Sequence, residues 1–190
     1  MRYRNRNMKR FEVYTAITAM VLLSLPASAL AQGESGKDLG TAHARVAEQV
    51  RHELVMLPYY SVFDNLVFEI RDVDTVVLSG QVTRPTLKSD AENVVKRLES
   101  VGKVVNSIEV LPLSTMDDRI RIAAYRAIYS RPGLDRYALQ AVPPIHIIVK
   151  SGHITLTGMV GTEVEKNLAG IAAKGVFGSF SVTNDLRTEG

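Results

Sequence analysis

The apolar positions of this chain fall into two periodicities that alternate along it. Val46, Val50, Leu54 and Leu57 recur every three or four residues, which predicts an amphipathic helix that Pro58 ends. Leu66, Phe68 and Ile70 alternate with more polar neighbours, as a half-buried strand does. Asp72-Val73-Asp74 reads as a turn, and Val76, Val77 and Leu78 as a second strand ending at Gly80. From Pro85 to Ser100 the helical spacing returns, with Leu87, Ala91, Val94, Val95 and Leu98 on one face. Pro85 suits the first turn of that helix, where its missing N–H has no partner to lose. Val104 to Leu111 completes the order α-β-β-α-β as a last strand.

The pattern then repeats. Val76-Val77-Leu78-Ser79-Gly80-Gln81-Val82 reappears 78 residues later as Ile154-Thr155-Leu156-Thr157-Gly158-Met159-Val160. The same offset carries Ala91 onto Ala169, Leu98 onto Val176, Val104 onto Val182 and Asn106 onto Asn184. Upstream the offset is 74, which pairs Val46 with Ile120, Val50 with Ala124, Leu54 with Ile128 and Pro58 with Pro132. The second copy therefore holds about four extra residues around Asp135 to Pro144. Its elements are expected as a helix from Arg119 to Ser130, strands at Ile145–Val149 and Ile154–Thr157, a helix at 162–174 and a last strand at 180–186. Ser151-Gly152 is a good hairpin turn between the two strands. Gly80 and Gly158 recur at one place, which predicts a positive φ or a close backbone approach at each.

These elements predict an α+β fold of two tandem α-β-β-α-β domains. Each is a three-stranded mixed sheet with two helices on one face, the economical way to cover one apolar side. A short hairpin favours an antiparallel first pair, and a helical crossover lets the third strand run parallel to its neighbour. The units are expected at 42–113 and 114–189.

Residues 1–31 differ in kind. Arg2, Arg4, Arg6, Lys9 and Arg10 precede an apolar stretch that closes on Ala29-Leu30-Ala31, the layout of a cleavable secretory signal peptide. Residues 32–41, rich in Gly, Ser and charge, read as a flexible lead-in. Removing the leader changes the charge picture. The whole chain carries +3, but the leader's five basic residues against Glu12 contribute +4, which leaves the mature protein near −1. The basic balance of the full sequence is thus no sign of nucleic-acid binding. There is no cysteine, so disulfides, thiolate zinc sites and a lipid-modified N-terminal cysteine are excluded.

The strand-glycine run Thr75-Val76-Val77-Leu78-Ser79-Gly80, followed by a helix and Val104-Val105-Asn106, resembles a BON domain. So does Ile154-Thr155-Leu156-Thr157-Gly158, with Gly178 and Val182-Thr183-Asn184 after its helix. Copy one has Ser100 where the pattern's later glycine is expected, and copy two has Ser179 where a valine is expected. The resemblance implies a paired-domain bacterial protein of the periplasm, soluble after signal cleavage and linked to osmotic or envelope stress. It also implies association with phospholipid or other envelope components, or a chaperone-like role toward unfolded or envelope proteins.

No catalytic constellation accompanies the fold. His43, His52, His146 and His153 lack metal-ligand spacing, and no nucleophile elbow or phosphate-cradling glycine motif occurs. No enzyme, cofactor, small-molecule substrate or nucleic-acid partner is expected. The candidate surface is basic: Arg119, Arg121, Arg126, Arg131 and Arg136, interleaved with Tyr125, Tyr129 and Tyr137. Copy two counts +2 and copy one −2. Arginine with tyrosine suits an anionic lipid headgroup layer, where the ring's apolar body sits at the boundary. Arg119, Arg121, Arg126, Arg131, Arg136, Tyr125 and Tyr129 are the expected lipid-contacting residues, and Gly80, Gly158 and Gly152 the structural turn positions. Small open sheets also leave edge strands that can accept an added chain. The Pro58-Tyr59-Tyr60 corner is a further candidate.

Overall fold

In a computed structural model the described residues are 32–71 and 74–189. The expected signal peptide, and Asp72-Val73 of the first hairpin turn, lie outside them. The first unit runs α1 (Gln32–Val55), β1 (Asn65–Arg71), β2 (Thr75–Val82), α2 (Pro85–Lys96), β3 (Lys103–Asn106) and β4 (Glu109–Val110). The second runs α3 (Thr115–Tyr129), a short 3-10 helix (Asp135–Leu139), β5 (Ile145–Lys150), β6 (His153–Val160), α4 (Glu163–Lys174), β7 (Ser181–Asn184) and β8 (Arg187–Thr188). The fold is α+β, built twice from the α-β-β-α-β order.

In each unit the second strand is central. β2 pairs antiparallel with β1 and parallel with β3, and β6 does the same with β5 and β7. The helices cover one face. Val50, Leu54, Leu87, Ala91 and Val95 close over Val76, Leu78 and Val82 in the first core. Ile120, Ala124, Ile128, Ala169 and Ala173 close over Ile145, Ile147, Ile154 and Leu156 in the second. Small residues on α4 let it sit close to α3, which replaces side-chain bulk with helix proximity.

Four expectations on element bounds are corrected. α1 reaches back to Gln32 through the stretch expected as a flexible lead-in. Extending a helix already packed at Val46 and Val50 needs no new nucleus. α3 starts at Thr115 rather than Arg119, because the Ser114 hydroxyl caps it by accepting from the Asp117 amide at 3.1 Å. The last strand of each unit is broken after its asparagine. Asn106 Nδ2 donates to the Lys88 carbonyl and to Glu92, and its Oδ1 accepts from the Ile108 amide. Asn184 repeats this with the Lys166 carbonyl and the Leu186 amide. A side chain that takes a neighbouring amide and a helix carbonyl interrupts the ladder while tying helix to strand.

The fourth concerns the glycines. Neither Gly80 nor Gly158 ends its strand: β2 and β6 run on to Val82 and Val160. Gly80 has φ +108° and lies where a Cβ would overlap the Asn65 carbonyl; Gly158 has φ +116° and would overlap that of Pro144. Each is a kink inside the central strand that lets the first strand's start press against it. Gly158→Ala is therefore expected to cost at least about 2 kcal/mol of stability by urea unfolding. Gly40→Ala, in helix with open space around it, leaves the midpoint unchanged or raises it.

Candidate functional site

The basic set predicted from sequence divides on α3 according to helix phase. Arg121 is 5% exposed. It lies against the sheet, where its Nη2 donates to the Val149 carbonyl at 2.7 Å and its Nη1 pairs with Asp118. Tyr129 is also buried, with its hydroxyl donating to the Ile145 carbonyl at 2.7 Å. Burial raises the Tyr129 phenol above its ordinary value. Neither side chain can reach a lipid headgroup, so both leave the expected contact set. They hold α3 on β5 instead. Tyr125 is half-buried, its ring tilted against that of Tyr129 at 4.8 Å and edge-on to Phe63 at 6.2 Å. Its phenol is part of the seam between the units.

Arg136 is exposed but engaged. It donates to Glu165 and to the Tyr137 hydroxyl, and Tyr137 in turn accepts from the Gly161 amide at 2.9 Å. Glu165 is also the reciprocal partner of Thr162 in the capping box that starts α4. The extra residues of the second copy thus form a 3-10 turn that clamps the N-terminus of α4.

Arg119, Arg126 and Arg131 remain on the surface. No ion-pair partner for them is found among the described residues. Arg119 and Arg126 are seven residues apart, which places them on one line along α3. Ile122 (48% exposed) lies on one flank of that line and shares a shallow cleft with Leu113 (97%). On the other flank Met116 (50%) touches Gly178 in the loop after α4, whose Phe177 is 98% exposed. Sequence periodicity missed Leu113, Met116 and Phe177. Phe177, between Gly175 and Gly178, was the legible signal: a bulky ring in a loop that offers it no packing partner.

The third feature is the seam. Val62, in the loop before β1, passes its carbonyl to the Ile147 amide at 2.8 Å and buries its side chain in the second core. Asp64, fully buried, fixes this loop: one carboxylate oxygen accepts from the Ser61 amide and hydroxyl, the other from those of Thr83. His146 stacks on Tyr60 at 5.7 Å, with its Nδ1 buried and without a hydrogen bond. Burial pushes the Tyr60 phenol up to about 12 and holds the His146 imidazole below 6.5. Tyr59 takes φ +67° at the Pro58 corner and lies under Arg84, 4.8 Å from its ring. Gly152 turns the β5–β6 hairpin at φ +78°, where Asp117 accepts its amide at 2.8 Å.

No group of three or more metal-ligating side chains occurs among the described residues, and none of their helices is long and apolar enough to cross a membrane. A family model described as the BON domain matches residues 43–112 and 134–190. The chain belongs to the BON domain family. BON domains are a non-catalytic, binding-type family implicated in envelope proteins. The matched segments hold both sheets together with α2, α4 and the C-terminal half of α1, whereas α3 precedes the second segment. Solved structures similar to the chain include the C-terminal domain of CdsD, the structural protein of the type III secretion system of Chlamydia trachomatis. It is 14% identical, spans 75% of this chain and 96% of its own, and has a TM-score of 0.26. A second CdsD structure is 12% identical over 76% and 93%, with a TM-score of 0.28. No curated protein matches the chain.

Two outcomes follow from this geometry. Arg121→Ala strands the Val149 carbonyl and lowers stability by about 2–3 kcal/mol in urea, whereas Arg119→Ala stays within about 0.5 kcal/mol. For His146, the unfolded chain takes up a proton at higher pH than the folded one. Stability is fully present above about 6.5 and declines as pH falls from there toward the depressed folded value. The thermal midpoint should therefore drop between about pH 7 and 5, and His146→Gln should flatten that slope.

Proposed function

We propose that this BON protein is a non-enzymatic envelope protein, exported behind residues 1–31, whose second unit docks on anionic phospholipid through the outer face of α3. The observation that carries this is the exposed line of Arg119 and Arg126 with apolar side chains on both flanks. Such a layout matches a bilayer surface, which offers phosphates at one depth and hydrocarbon just below. Arg119, Arg126 and Arg131 supply about 1 kcal/mol each near an anionic leaflet, or about 3 kcal/mol together. That is roughly a hundredfold in partitioning. Phe177 and Ile122 add a part that does not depend on salt, since burying apolar surface needs no charge. Periplasmic residence and a role in osmotic or envelope stress accord with this reading.

Vesicle flotation tests it. The protein should float with vesicles rich in phosphatidylglycerol and much less with phosphatidylcholine alone, and should be largely released near about 1 M salt, where the Debye length is about 3 Å. Arg119→Glu with Arg126→Glu should abolish flotation while leaving the circular dichroism spectrum unchanged. Equal binding to neutral vesicles, or binding untouched by the charge reversal, would overturn the proposal.

A further inference from the structure

The internal repeat exposes a vacancy. In the second unit the outer edge of the first strand is covered, because the Ile147 amide donates to the Val62 carbonyl and the Val62 side chain enters the core beside it. The first unit has the same edge in the same register. Leu66 faces Gly80 as Ile145 faces Gly158, and Phe68 faces Leu78 as Ile147 faces Leu156. Phe68 is thus the positional equivalent of Ile147, with its amide directed away from β2. The segment that covers β5 comes from the other unit, and the second unit sends none back to β1. Among the described residues no main-chain group bonds to the outer edge of Phe68.

That edge opens on a groove of about 570 Å³ between the units. Leu66, Phe68 and Arg51 form one wall, and His146, Asp185 and Arg187 the other. Arg51 is drawn toward Glu48 at 2.9 Å, which leaves Arg187 as the exposed charge at the rim nearest the second sheet. Leu66 and Phe68 make one wall apolar, Tyr60 engages the Leu66 backbone and leaves the Phe68 amide without a main-chain partner, and Arg187 and Asp185 are the exposed charges on the facing wall.

We propose that the outer edge of β1 is a peptide-binding site. It takes an extended segment of another protein by strand addition, with a β-branched or aromatic residue set against Leu66 and Phe68 and a carboxylate toward Arg187. The chain itself shows one such contact: the turn at Val62 gives its carbonyl to the Ile147 amide on β5 and sets the Val62 side chain in the core beside it. Main-chain bonds along an open edge give affinity with little sequence demand, and the single apolar berth gives preference. The site is independent of the lipid-docking face, which lies on α3.

The probe is a synthetic peptide copying residues 59–64, titrated into the 15N-labelled protein. Saturable shifts should concentrate on the amides of Phe68 and Ile70. Replacing the peptide's valine by aspartate should weaken binding about tenfold, since a charge would enter the apolar berth. Phe68→Pro removes the donor at an outward-facing edge position, where proline is tolerated in a strand, and should abolish binding. Arg187→Glu, remote from either core, should weaken it several-fold. Shifts centred on Ile147, no saturable shifts, or affinity unchanged in both variants would overturn the proposal. A dimer in sedimentation that the peptide disperses would also overturn it, by assigning the edge to a second copy of this chain.

Discussion

Val62 belongs by sequence to the first unit and by packing to the second. Its side chain sits with Ile145, Ile147 and Tyr129 in the second core, while its carbonyl caps the edge of β5. The loop that delivers it is held by Asp64, whose four accepted bonds to Ser61 and Thr83 satisfy a fully buried carboxylate. A buried carboxyl group is tolerable only when its oxygens have hydrogen-bond partners, and here those partners lock a loop. This contact ties two small domains, each with a modest core of its own, by burying a residue of one in the core of the other. Phe63 on Tyr125 and Tyr60 on His146 extend the same seam. The Lys150–Glu109 pair also spans it, but is exposed and adds little.

The seam also sets which surfaces are left for other molecules. By occupying the edge of β5 it withdraws that strand from main-chain addition and leaves its counterpart β1 open. It holds Tyr125 against Phe63, and with Arg121 and Tyr129 bonded to β5, α3 keeps outside only two of the five lipid contacts expected on it. What remains outside is simpler: a line of arginines with apolar flanks on one side of the molecule, and an open strand edge in the groove on another. The two proposed faces share no residue, so the proposed lipid and peptide contacts do not compete for side chains.

Much of the fold was legible because each unit obeys one period at a time. The helical spacing of Val46, Val50 and Leu54, and its echo at Ile120, Ala124 and Ile128, marks faces that the structure buries. The site was less legible. Arg119, Arg121 and Arg126 look alike in a list of charges, and only their phase on α3 separates them: 121 falls with Ile120, Ala124 and Ile128, while 119 and 126 fall opposite. The run Ile147-Ile148-Val149 held a further signal. Three consecutive apolar residues imply a strand buried on both faces, and the second face of β5, at Ile148, meets the first unit beside Leu111.

The sequence by itself determined the repeat, the order of elements, the two core faces and the asymmetry of charge between the units. All of these are local: periodicity, register and composition act within one element or between two copies of it. Tertiary structure alone decided that Gly80 and Gly158 lie within strands rather than at their ends, because the Asn65 and Pro144 carbonyls that demand them arrive from another strand. It decided which arginines are structural, since a carbonyl such as that of Val149 leaves no mark 28 residues away at Arg121. And it decided that one sheet edge is covered and its twin is open, because that depends on a loop of one unit meeting a strand of the other, where no pattern within either unit records the encounter.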